Sequence, residues 1–135
     1  MQDTLPIHFA PLQGYTEAIY RNAHDAFFGG VDTYYTPFVR LEKGNFRRRD
    51  VRGIEPENNG VTHLIPQLIA SSAEKAEVIL SLFIEKGYQE VDINLGCPFP
   101  LLAKRHNGSG ILPYPEEVKA LLSIVTRYPQ IRFSV

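Results

Sequence analysis

Residues 90–100 read EVDINLGCPFP, an alternating run broken by Gly96 and Pro98 around the single cysteine of the chain. Alternation sets Val91, Ile93 and Leu95 on one side of a strand and Glu90, Asp92 and Asn94 on the other, and Pro98 ends any ladder. Inside a barrel either side is buried, so the pattern alone does not say what Asp92 and Asn94 face. Free cysteine is among the most buried residue types, which makes a small core hydrophobe the plain reading of Cys97. Its position in a loop at the carboxyl end of a strand, after a glycine and before a proline, points instead to a side chain facing a site. With no basic neighbour in that loop, the thiol is read as neutral, a state that suits proton donation better than nucleophilic attack.

Outward from this strand the same unit recurs. PIHFAPL, VDTYYTPFV, THLIPQLI and the closing IRFSV are β-type runs, and segments with helical spacing lie between them. The first helix is expected from Thr16, as N-cap, to about Phe28, with Ile19, Ala23, Ala26 and Phe27 on its inner face. A second begins at a Ser71/Glu74 capping box and buries Ala76, Ile79, Leu80 and Phe83. A third begins at Pro115 and carries the stripe Val118, Leu121, Leu122 and Val125. Residues 40–60 are polar and basic, with one short helix expected near Phe46. Five parallel strands joined by helices make an α/β fold, either an open doubly wound sheet or the first five strands of a (β/α)8 barrel. A whole barrel needs roughly 250 residues, and this chain has 135.

The composition, 44% hydrophobic and 21% charged, is that of a globular domain, and no apolar run reaches the roughly 18 residues of a membrane span. The N-terminal MQDTLPIHFAPL lacks the basic and apolar regions of a secretory signal. One cysteine forms no internal disulfide and the four histidines lack metal-ligand spacing, so a cytoplasmic protein without a metal is expected. Net charge is −1, yet Lys43, Arg47, Arg48, Arg49 and Arg52 put five cations into ten residues, either a solvated face or a patch for nucleic acid.

Polar residues gather where strands end: Gln13 after the first, Gln67 at the third, Asn94 and Cys97 after the fourth. In parallel α/β folds these ends form the rim where ligands bind. Side-chain amides suit a planar heterocycle presenting donors and acceptors, although Gln67 also reads as an edge residue and Asn94 as a turn former. NGSG at 107–110 is a flexible loop or a weak match to a phosphate cradle.

APLQGYT, PQLI, and DINLGCP followed by KRHNGSGIL resemble, in order and spacing, the tRNA-dihydrouridine synthases, from about Phe9 to Val135. The resemblance implies an FMN-containing TIM barrel, of which residues 1–135 would be the N-terminal portion. The remaining barrel and a helical tRNA-binding domain would follow. It implies NADPH-driven reduction of the C5–C6 double bond of particular uridines in tRNA. Pro11, Leu12 and Gln13 would then lie along the flavin and Gln67 would hydrogen-bond its ring. Asn94 would meet the target uridine, Lys104 and Arg105 would contact tRNA, and Cys97 would be the general acid. Hydride would pass from flavin N5 to C6 of uracil, and the Cys97 thiol would give a proton to C5 from the opposite face. The uridine must leave its stack to reach such a pocket. Members commonly carry lysines soon after Gly-Cys-Pro; here Phe99-Pro100-Leu101-Leu102 precede Lys104 and Arg105. Two other readings compete: an FMN-barrel dehydrogenase of a free pyrimidine, of the dihydroorotate dehydrogenase type, and a noncatalytic α/β RNA-binding module. Alone, five strands with open edges would associate with themselves and hold FMN weakly.

Overall fold

The computed structural model describes residues 4–135; Met1 to Asp3, part of the N-terminal stretch read above for a signal, lie outside them. In chain order the elements are β1 (His8–Phe9), α1 (Ala18–Phe27), β2 (Thr33–Tyr35), β3 (Leu41–Glu42), β4 (Asn45–Phe46) and α2 (Arg48–Ile54). There follow β5 (Leu64–Ile65), β6 (Gln67–Leu68), α3 (Ala73–Glu85), β7 (Glu90–Ile93), α4 (Pro100–Ala103), α5 (Pro115–Leu122), α6 (Ile124–Arg127) and β8 (Arg132–Ser134).

All five expected strands form, and every pairing among them is parallel. β1 pairs β2 and β2 pairs β5; β6 pairs β7 and β7 pairs β8. β5 and β6 are two halves of THLIPQLI, interrupted at Pro66, which has no N–H to donate. Its carbonyl still accepts from Asp92 N–H, and Val39 bridges to Leu68, so the two halves act as one interrupted strand. Strand order therefore follows chain order without reversal. A doubly wound sheet reverses at a switch point, and this one does not.

Val91 and Ile93 face the helices and join Ile79, Leu80 and Phe83 of α3, Leu121 of α5 and Ile124 of α6 in the main core. Full burial of side chains of this size contributes about 1.5–3 kcal/mol each relative to exposure. α3 is capped one residue later than expected: Ser72 accepts from Lys75 N–H, while Ser71 accepts from the Lys75 ammonium. The expected stripe of the third helix holds at Leu121 but not at Val125, because the helix breaks at Ser123 and turns Ile124 inward instead.

Two local expectations are overturned. Residues 41–46 form an antiparallel hairpin turning at Lys43-Gly44, and the short helix starts only at Arg48, beyond Phe46. In α1, Thr16 does not cap; Glu17 takes that position, and the Thr16 hydroxyl accepts from Leu12 N–H at 2.8 Å. The inner face of α1 is polar. Ile19 and Phe27 are 85% and 84% exposed, whereas Arg21 is wholly buried. The Arg21 guanidinium donates to the carbonyls of Thr16 (2.7 Å) and Gly53 (2.8 Å) and to Asn59 Oδ1 (2.7 Å), tying α1 to α2 and the following loop. Burial pushes its pKa down to about 10, so it stays charged at neutral pH. Arg21→Leu leaves those acceptors unpaired; a loss of about 3 kcal/mol is expected in chemical denaturation of the full-length protein.

Candidate functional site

The polar side of the sheet carries the candidate site. β7 resolves the ambiguity of its alternation: with Val91 and Ile93 in the helix-side core, Asp92 lies on the other face with Gln67 of β6 and Ser134 of β8. Gln67 Nε2 donates to Asp92 Oδ2 at 2.6 Å, and Ser134 Oγ donates to Asp92 Oδ1 at 2.6 Å. Asn94 Nδ2 donates to Gln67 Oε1 at 2.9 Å. Asn94 Oδ1 in turn accepts from the backbone N–H of Gly96 (3.2 Å) and Cys97 (2.9 Å). Three strands and the cysteine loop are thus one network. Gln67 is 7% exposed, so its amide is oriented rather than free, which excludes the edge-residue reading. Asn94 does form the turn, and that turn holds the Cys97 backbone N–H.

Asp92 was not among the residues singled out from sequence. The only signal for it was its place two residues before Asn94 on the same side of the strand. Below this layer, Tyr35 shares a hydrogen bond with His8 (3.0 Å); burial first, then the nearby charges of Asp92 and Glu90, push its phenol pKa up and keep it protonated.

Cys97 is half-buried and packs against Phe38, Ile69 and Leu102. Its carbonyl accepts from Ser109 N–H (3.0 Å) and Ser109 Oγ (3.1 Å). The NGSG segment is therefore a brace beneath the cysteine. A Cβ on Gly108, whose φ is +57°, would sit 2.6 Å from the Cys97 carbonyl oxygen, and one on Gly110 would run into the Ala103 backbone. Close approach explains both glycines, and the Cys97 backbone fills the space that a phosphate cradle would need.

After β1, Leu12 N–H and carbonyl are held by Thr16, leaving the Leu12 side chain exposed and Pro11 half-buried beside it. Gln13 Oε1 is buried with no donor among the described residues. It lines a small cavity with Arg21, Thr36, Arg49 and Asp50. Lys104 and Arg105 are exposed just after α4. The basic run divides: Arg47 is clamped to buried Asp50 by two hydrogen bonds (2.9 and 2.8 Å), and Arg49 lies 3.7 Å from the same carboxylate. Arg47 is committed to the fold, whereas Arg49, 44% exposed, makes only this longer contact.

The sequence profile described as "Dihydrouridine synthase (Dus)" matches residues 8–135. The chain belongs to the dihydrouridine synthase family. It is 28% identical over 122 residues to "Probable tRNA-dihydrouridine synthase 1" of Synechocystis sp., an alignment covering 86% of this chain and 32% of that protein. It is 24% identical over 118 residues to "tRNA-dihydrouridine synthase B" of Pectobacterium carotovorum, covering 87% and 36%. With the Klebsiella pneumoniae protein of the same name it shares 33% over 61 residues, 45% of this chain and 19% of that one. The chain spans about a third of the length of the relatives that it matches most fully.

The Dus family is built on a TIM barrel, and the parallel α/β sheet here agrees with that class. The rim residues fit a planar flavin ring by their chemistry: Gln67 has one amide N–H beyond those it uses, and Gln13 offers a buried acceptor in need of a donor. Asp92→Asn tests the network that orients Gln67. An amide in place of the carboxylate must turn its NH2 toward Ser134, whose hydroxyl then accepts instead of donating, and it replaces a charged acceptor for Gln67 by a neutral one, so about 1 kcal/mol of stability should be lost. A shifted urea midpoint with unchanged m-value reads that loss.

Proposed function

We propose that the protein to which this chain belongs is a cytoplasmic tRNA-dihydrouridine synthase that uses FMN and NADPH to reduce the C5–C6 double bond of specific uridines. The chain would form the first five staves of its catalytic barrel. The observation that carries this reading is the joining of Gln67, Asn94 and the Cys97 loop into one hydrogen-bonded network at the carboxyl ends of adjacent strands, in a chain of the family. Sequential strand order supports the barrel assignment. The flavin supplies hydride when bound.

Everything else falls to the chain. Pro11, Leu12 and Gln13 hold one side of the ring and the Gln67 amide bonds its heteroatoms. Asn94 fixes the loop and offers its remaining N–H to the uracil. Cys97, backed by Phe38, Ile69 and Leu102, gives the proton that C5 requires after hydride reaches C6. The reaction balances as uridine plus NADPH plus one proton giving dihydrouridine and NADP+. Lys104 and Arg105, exposed just after α4, meet tRNA.

Substrate class is tested with full-length protein, NADPH and three acceptors: unmodified tRNA, free uracil and orotate. Reduction of tRNA uridines alone is expected. Comparable turnover of orotate or uracil would replace this reading with the free-pyrimidine dehydrogenase. The isolated 135-residue chain tests the barrel assignment. Among the described residues β1 and β8 each have one unpaired edge, and Leu5, Ile19, Phe27 and Phe28 are exposed. Association in sedimentation velocity and a colourless preparation are expected; a yellow monomer would count against five staves of a larger barrel.

A further inference from the structure

A second concavity lies beside the cysteine loop. About 370 Å³ in volume, it is bounded by the β3–β4 hairpin, the first turn of α3 and the segment after α4. Its walls carry Arg40, Lys43, Lys75 and Arg105 against a single carboxylate, Glu42. Glu42 lies 3.5 Å from Arg40 with over half its side chain exposed, a pairing of little energetic weight. Arg40 Nε is buried without an acceptor among the described residues, although buried donors are almost always paired. The floor includes Ile69 and Leu102, the same side chains on which Cys97 packs. Four cations in one recess of a chain with net charge −1 select an anion.

We propose that this pocket holds a backbone phosphate of the RNA whose uridine is presented to Cys97. The proposal rests on the dihydrouridine synthase reading for the identity of the RNA, and it adds Arg40, Lys43 and Lys75 as positioning residues. A base seated at Cys97 brings its flanking phosphates along, and the shared floor puts the recess within their reach. An anchored phosphate fixes the register of the strand without reading its sequence.

The test is equilibrium binding of an unmodified tRNA transcript to the full-length protein across a KCl series. Lys43→Gln/Lys75→Gln, two exposed positions, is expected to weaken binding several-fold at low salt and to reduce the slope of log K against log salt by about one. Glu42→Gln is expected to tighten binding, a gain that misfolding cannot produce. Unchanged affinity and slope in the double variant, or no gain in Glu42→Gln, would overturn the pocket. A shift confined to the KM for NADPH, or to competition by inorganic phosphate, would mean that it takes a small phosphate compound, and would overturn it too. Because binding is read without turnover, failure of the pocket is distinct from failure to make dihydrouridine.

Discussion

Replacing Cys97 by alanine in the full-length protein is expected to leave the flavin bound and reducible by NADPH while uridine reduction falls about 10²- to 10⁴-fold, the usual contribution of a positioned general acid. The expectation follows from where the thiol is and what fixes it. Asn94 Oδ1 holds the Cys97 N–H, Ser109 holds its carbonyl, and three apolar side chains back it. Truncation to alanine keeps all the backbone contacts, so loss of turnover without loss of flavin isolates the thiol proton. Were Cys97 only a core hydrophobe, the same variant would cost stability and leave turnover intact.

The second large effect is expected at the brace. Gly108→Ala forces a side chain into a left-handed backbone position and against the Cys97 carbonyl, so the loop must move. A displacement near 1 Å at a reacting group costs on the order of 10²-fold in rate, and that loss is expected here with flavin retained. Gly110→Ala meets the Ala103 backbone instead and is expected to destabilise the fold by about 3 kcal/mol, read as a lowered urea midpoint. Gly53→Ala is the control: it lies inside α2 with open space around its Cβ position, and a small gain of about 0.5–1 kcal/mol is expected.

Much of this was legible in the sequence because strands announce themselves locally. Each of the five β-type runs became a parallel strand, and Pro66 split the third as an imino acid must. What stayed hidden depends on partners remote in the chain. The inner face of α1 is organised by Arg21, whose acceptors lie up to 38 residues away, so an apolar stripe pointed the wrong way. The hairpin at 41–46 turns on Lys43-Gly44 rather than on the Asn-Gly or Asp-Gly that would have announced it. NGSG looked like a mobile loop because nothing local says that Cys97 presses on it. At the site, Gln13, Gln67, Asn94 and Cys97 were visible as polar groups at strand ends. Asp92, which orients Gln67, was not, since alternation alone does not choose between the faces of a sheet.

The central claim is that the Cys97 loop presents a proton to a uracil reduced at this rim. Its most direct measurement mixes NADPH-reduced full-length protein with unmodified tRNA under anaerobic conditions, following flavin absorbance and counting dihydrouridine by mass spectrometry. One dihydrouridine per flavin reoxidised is expected for the wild type, and almost none over the same time for Cys97→Ala. Equal yields and rates from the two proteins would contradict the account.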